Sequence, residues 1–323
     1  MPAKPRTLIV GATGVIGRRL VSSLAADGHD VHGLARGEQG AALVRELGGT
    51  PVTGDLLDAE SIDRAVAQVR PGVVVSQATS LKRLNPRKLE TAEPTNRLRT
   101  EGTRNLVGAA ERHGVERVVA QSIAFAYAHD GPPILDEDAP LDVDAPGGWG
   151  AVARAVAVND ETVVGASGPV GVALRYGQFY GPETGTFPEG YLGDLVRKRR
   201  MPVVGGGGGR FSFIHIDDAV SATLHAIERG SGVYNVVDDE PVLVRDFLPE
   251  LARALDAKAP RRIPSWLARI AAGEPAVRAM TTQRGVSNSK AREELGWRPR
   301  YPSWREGVAA AGAAARPTPA QTR

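Results

Sequence analysis

The chain has 323 residues, 42% hydrophobic and 24% charged, enough to bury a core and ordinary for a globular protein. Lys and Arg number 40 against 37 Asp and Glu; the resulting +3 offers no nucleic-acid surface, and the lack of cysteine excludes disulfides, thiolate nucleophiles and cysteine-ligated metals. The first residues run straight into an apolar strand-like segment and no stretch is long and apolar enough to span a bilayer, so a cytoplasmic protein without a membrane partner is expected.

Along the chain, apolar runs at 7–10, 31–34, 51–53, 73–76, 118–121 and 170–174 alternate with helical patterns such as 15–27, 61–70 and 95–113. Gly28 and Gly114 sit where C-capping glycines belong, each just before the next strand. Continuous apolar strands divided by helices indicate an α/β fold, a Rossmann-type doubly wound parallel sheet covered on both faces. His29 and His32, three apart on an expected strand, point to opposite faces, and no metal site is expected.

After Arg175 the texture changes. Gly- and Pro-rich loops at 181–190 and 202–209 flank a helix ending in Arg197-Lys198-Arg199-Arg200, a solvated basic turn that suits the helix dipole. A strand-like 210–216, a helix at 217–229, a strand at 233–237 and mostly helical material to 314 follow. We therefore expect a dinucleotide-binding domain from 1–174 with 211–238, a smaller C-terminal substrate lobe from 175–210 with 239–314, and a disordered tail at 315–323.

Gly11-Ala12-Thr13-Gly14-Val15-Ile16-Gly17 follows the first strand and opens the first helix. A dinucleotide pyrophosphate needs a turn without Cβ atoms, N–H groups aimed at it and a helix N-terminus. Gly11, Thr13, Gly14, Val15, Ile16 and Gly17 are accordingly candidate cofactor residues, Gly17 by letting helix pack on strand. The second strand ends Gly33-Leu34-Ala35-Arg36, with Ala where a ribose-binding carboxylate would sit and Arg next. Arg36 favours NADP over NAD, which stays as the alternative. Asp55 and Leu56 are placed to meet the adenine, with Asp58 left to cap the following helix. Gln77, Ala78 and Thr79 follow the fourth strand at the same carboxyl edge.

These residues resemble the extended short-chain dehydrogenase/reductase family, the NAD-dependent epimerase/dehydratase group, over almost the whole chain. Further matches are Gly54-Asp55-Leu56, Glu101-Gly102-Thr103-Arg104-Asn105-Leu106, the run from Leu174 to Pro182 that includes Tyr176, Phe213-Ile214-His215-Ile216-Asp217-Asp218, and Leu295-Gly296-Trp297-Arg298-Pro299. The resemblance implies hydride chemistry on a small substrate held under the C-terminal lobe, with Tyr176 among the cofactor residues. It also implies a catalytic Tyr-x-x-x-Lys on a helix and a Ser from the preceding strand. None of the six tyrosines has a Lys four residues later. Aligning Glu161 with the family's helix puts Ala153 at the Tyr position and Ala157 at the Lys position.

A proton, if one is needed, must then come from elsewhere. Ser122 and Tyr127 are the first candidates; His129 and Asp130 lie just beyond on the same loop. Family members acting on nucleotide sugars carry an Arg four residues before the His of the Phe-Ile-His segment; here that residue is Phe211, and Arg210 lies on the opposite strand face. Trp149, Gln178, Tyr180, Phe211 and Phe213 would suit an apolar or aromatic metabolite. The sequence leads to an NAD(P)-dependent oxidoreductase with a displaced proton donor, acting as monomer or homodimer. Three alternatives stay open: a nucleotide-sugar epimerase or dehydratase, a non-redox cyclase, lyase or isomerase keeping its nicotinamide cofactor, and a cofactor-binding regulator without turnover.

Overall fold

The computed structural model describes residues 4–80 and 92–314; the tail expected at 315–323 lies outside them. Strands β1 (Thr7–Val10), β2 (Val31–Ala35), β3 (Thr50–Thr53), β4 (Val73–Ser76) and β5 (Arg117–Ile123) are joined by helices α1 (Val15–Ala26), α2 (Glu38–Glu46) and α3 (Ala59–Val69). Between β4 and β5 come α4 (Glu93–Arg97), a π-helical turn at Leu98–Gly102 and α5 (Thr103–Arg112). The expected single helix at 95–113 is therefore interrupted. Strand β6 (Ile134–Leu135), helix α6 (Gly147–Val164) and strands β7 (Val170–Tyr176) and β8 (Gln178–Tyr180) follow.

The C-terminal part holds α7 (Tyr191–Arg197), β9 (Val203–Val204), β10 (Arg210–Phe211), β11 (Phe213–His215), α8 (Ile216–Glu228), β12 (Gly232–Val236) and β13 (Val242–Leu243). It continues with α9 (Val244–Ala254), β14 (Arg262–Ile263), α10 (Ser265–Ala272), α11 (Glu274–Thr281), β15 (Gly285–Val286), α12 (Ser289–Glu294) and α13 (Trp304–Ala314). Seven strands form one sheet in the order β12-β7-β5-β4-β1-β2-β3, every pair parallel. This is the doubly wound sheet that the uninterrupted apolar strands predict.

Both faces are covered. Ile9, Val119 and Leu174 turn to Leu20 and Val21 of α1 and Ala222 of α8, while Leu8, Val74 and Val118 turn to Ile62 of α3, Leu106 of α5 and Val163 of α6. Ala291, Leu295 and Trp297 belong to the first of these clusters, so part of the segment assigned to the lobe at 239–314 packs on the sheet instead. A second core holds Tyr180, Phe187, Phe211, Phe213, Phe247 and Trp304, Tyr180 stacked on Phe187 and the other rings meeting edge to face or tilted. The strand expected at 210–216 is split: β10 pairs with β13 in the lobe, β11 with β8, and α8 begins at Ile216.

A buried polar strut ties the sheet's β5–β7–β12 edge to α6. Arg175 donates to Asp160 at 2.8 Å and to the Tyr127 hydroxyl at 2.7 Å, and that hydroxyl donates to Asn235 at 2.8 Å. Removing one partner of a buried pair strands the other charge, at a cost of about 3–5 kcal/mol. Asp160→Ala should therefore lower the urea-unfolding free energy by about 3 kcal/mol. Tyr127→Phe, which removes a hydroxyl with neutral and charged partners, should cost about 1–3 kcal/mol. An Asp160→Ala protein as stable as the wild type would contradict this reading of the strut.

Candidate functional site

A cleft of about 830 Å³ opens at the carboxyl ends of β1 to β4, where the sheet order reverses between β1 and β4. Its floor is the turn Gly11–Gly14. Gly11 has φ +80°, and an added Cβ there would come within 2.7 Å of the Gln77 carbonyl carbon. A Cβ on Gly17 would sit 2.1 Å from the Gly11 carbonyl oxygen, so only glycine lets α1 approach β1 this closely. Gly14 is the α1 N-cap and no side chain caps the helix, so the first-turn N–H groups are left for a ligand.

The second wall is Leu34, Ala35 and Arg36 at the end of β2, continued by Gly37–Gly40 at the start of α2. Gly37 also caps its helix without a side chain, giving a second uncapped helix N-terminus beside Arg36. Arg36 is exposed and forms no ion pair among the described residues. Asp55 and Leu56 line the third side; Asp55 accepts from the Leu57 backbone N–H at 3.0 Å, and Asp58 caps α3 through the Ser61 N–H at 3.0 Å, as the sequence suggested. Gln77, Ala78 and Thr79 close the fourth, with the Gln77 Oε1 buried and unpartnered.

Nine candidate cofactor residues thus border one cleft: Gly11, Thr13, Gly14, Arg36, Asp55, Leu56, Gln77, Ala78 and Thr79. Val15, Ile16 and Gly17 lie behind them in α1, the last two buried. Tyr176 is fully buried and does not border the cleft. Its hydroxyl receives the Gln77 Nε2–H at 3.1 Å and bonds Thr223 at 2.6 Å, so it orients Gln77; burial pushes its pKa up to about 12. Sequence reasoning missed the roof, Pro94 and Leu98, which the interrupted helix swings over the cleft, and Glu38, Gln39 and Gly40 at the α2 start.

The catalytic candidates are placed differently from expectation. Tyr127 is 3% exposed, its hydroxyl is held by Arg175 and Asn235, and burial lifts its pKa to about 12 against the pull of Arg175. That geometry makes it a strut and not the proton donor read from the sequence. Ser122 pairs in register with Arg175 and is buried, its Oγ without a partner. The His129 Nδ1 bonds Thr282 at 2.8 Å, and burial with nearby Arg278 lowers its pKa to about 4, so the ring is neutral; Asp130 is exposed. Ala153 and Ala157 lie on α6 with Ala153 fully buried, and neither side chain can move a proton.

The aromatic substrate candidates divide. Tyr180, Phe211 and Phe213 are buried in the core they share with Phe187, Phe247 and Trp304. Trp149 is half-buried at the start of α6, stacked on Phe125 with centroids 6.4 Å apart, its indole N–H donating to Asp142 at 3.1 Å. Gln178 is half-buried on β8 opposite Phe213.

A model of the NAD dependent epimerase/dehydratase family matches residues 7–237. The chain is 47% identical over 310 residues to a 3-diazoavenalumate denitrifying reductase of a Streptomyces species, covering 94% of this chain and 99% of that one. It is 32% identical to a 4-hydroxy-2-methyl-3-oxo-4-farnesyl-3,4-dihydroquinoline-1-oxide ketoreductase of Stigmatella aurantiaca, covering 90% and 91%. A Thermus thermophilus UDP-glucose 4-epimerase solved with NAD superposes with a TM-score of 0.67 at 27% identity, covering 94% of this chain and 96% of that one. With its glycine turn, reversed strand order and cleft, the chain belongs to the NAD dependent epimerase/dehydratase family.

Proposed function

We propose that this chain is an NADP-dependent reductase that removes nitrogen from a diazo group on an aromatic carboxylic acid and leaves hydrogen in its place. What carries this reading is alanine at 153 and 157, the positions we assign to the family's Tyr and Lys, together with a Tyr127 hydroxyl fixed in a buried strut. A diazonium carbon that accepts a hydride loses dinitrogen. One C–H bond forms, one C–N bond breaks, the C–N electron pair leaves in N2, and no proton enters or leaves. Carbonyl reduction, by contrast, leaves an alkoxide that needs a proton from a positioned acid. The 47% identity with a denitrifying reductase over nearly the full length of both chains supports the same choice.

The cofactor, when bound, supplies the hydride. The chain's own residues do the rest. The uncapped first turn of α1 and the Gly11–Gly14 backbone would bind the pyrophosphate, and Asp55 and Leu56 the adenine. Gln77, held by the buried Tyr176, would meet the nicotinamide end. Arg36 beside the uncapped α2 N-terminus supports a 2′-phosphate, for which both supply positive potential, and no carboxylate stands at Ala35 to favour a free hydroxyl. Trp149 and Phe125 are the half-buried aromatic pair outside the lobe core, suited to stacking on a ring.

Diazotised 3-amino-4-hydroxycinnamate should release one N2 for each NADPH oxidised, and intact diazo compound after NADPH-dependent incubation would sink the proposal. Arg36→Ala should weaken NADPH by about tenfold or more through the lost charged hydrogen bond, with NADH affinity little changed. Equal loss for both cofactors would remove Arg36 from the discrimination. Since no acid or base takes part and Tyr127 stays protonated below its pKa of about 12, kcat should be flat from about pH 6 to 9. A sigmoidal or bell-shaped profile in that range would reveal a titrating group.

A further inference from the structure

Arg99 is an unexplained charge. It sits on the π-helical turn Leu98–Gly102, 5% exposed, with its Nε buried and unpartnered. No ion pair reaches it among the described residues; Asp160, whose field it feels, is already bonded to Arg175. Burial accordingly draws its pKa down to about 10, so it stays a cation at neutral pH. An isolated buried charge is costly unless something else compensates it.

Its neighbours are the cleft on one side and α6 on the other. Leu98, one residue earlier, roofs the cofactor cleft. The π turn packs on α6, where the Thr103 hydroxyl donates to Asn159 at 2.9 Å. On that helix Asp160, Ala157 and Ala153 follow one another at turn spacing, so a stripe of two alanines leads from the Arg99 neighbourhood toward the helix start that carries Trp149. Two more buried polar atoms without partners among the described residues, Ser122 Oγ at the end of β5 and Asn96 Oδ1 on α4, come from elements bordering the same helix. A π turn inserted in a helix is itself a frequent mark of a functional site.

We infer that Arg99 binds an anionic oxygen of the aromatic substrate, giving the site a fixed cation on the turn that packs against α6. This rests on the aromatic-acid reading above. Two oxygens offer the required charge, the carboxylate and a phenolate on the ring. In either case the guanidinium neutralises charge and transfers nothing, which suits a reaction without proton exchange.

The test uses the NADP-loaded full chain and 3-nitro-4-hydroxycinnamate, a non-reacting probe with both oxygens ionised at mildly alkaline pH, and its methyl ester. Calorimetry should show the acid binding about tenfold or more weakly to Arg99→Met than to the wild type, with Arg99→Lys intermediate and NADP affinity unchanged. If the ester is equally sensitive to Arg99→Met, the bound oxygen is the phenolate; if it is indifferent, it is the carboxylate. Without ligand, Arg99→Met should melt at or above the wild-type temperature, because it removes an uncompensated buried charge. Equal binding of the acid to wild type and Arg99→Met overturns the inference, as does no binding to the wild type or a ligand-free Arg99→Met that melts several degrees lower. Binding that depends on Arg99 in a protein that releases no N2 would sink the proposed reaction alone; N2 release with binding indifferent to Arg99 would sink this inference alone.

Discussion

Helix α1 can lie against β1 only because position 17 lacks a Cβ, which would otherwise stand 2.1 Å from the Gly11 carbonyl oxygen. That contact sets where the helix begins, and therefore where its uncapped N–H groups point. Gly11 in turn passes within van der Waals contact of the Gln77 backbone at the end of β4, joining the two strands on either side of the reversal in sheet order. The cleft, its positive potential and the position of every other wall follow from this close approach. Arg19, which pairs with Glu183 at 2.7 Å and approaches Asp217 at 3.5 Å, then fastens the same helix to the first loop of the lobe and to α8.

The polar groups around α6 follow a different principle and fall into two sets. Arg175, Asp160, Tyr127 and Asn235 satisfy one another and hold β5, β7 and β12 to the helix. Arg99, Ser122 and Asn96 carry buried atoms without a hydrogen-bond partner among the described residues. Buried polar groups are nearly always satisfied, so the second set stands out against the first, and it lies next to the turn whose Leu98 lines the cleft. Ala153 and Ala157 lie on α6 and carry no group that exchanges a proton.

Much of this was legible from local pattern. The glycine turn, the Asp58 cap, the strand run-lengths and the C-capping Gly28 and Gly114, at φ +76° and +66°, are encoded by residues within a few positions of one another. What the sequence concealed depends on partners far away in the chain. Tyr180, Phe211 and Phe213 look like exposed aromatics on short strands until β10 finds β13 and β8 finds β11, whereupon they become core. Tyr127 reads as a free hydroxyl near a catalytic loop because its partners, Arg175 and Asn235, are 48 and 108 residues later. The π turn that lifts Leu98 over the cleft and buries Arg99 has the same apolar period as an ordinary helix for most of its length, so periodicity passes over it.

The central claim is that hydride alone replaces the departing nitrogen. The direct measurement is turnover of the diazo aromatic acid with NADPH deuterated at its transferable hydride, and in parallel with unlabelled NADPH in D2O, reading the ring carbon that bore nitrogen by mass spectrometry and NMR. The account predicts deuterium at that carbon from the labelled cofactor and none from the solvent. Deuterium arriving from D2O would mean that a group in the protein delivers a proton there, and would contradict it.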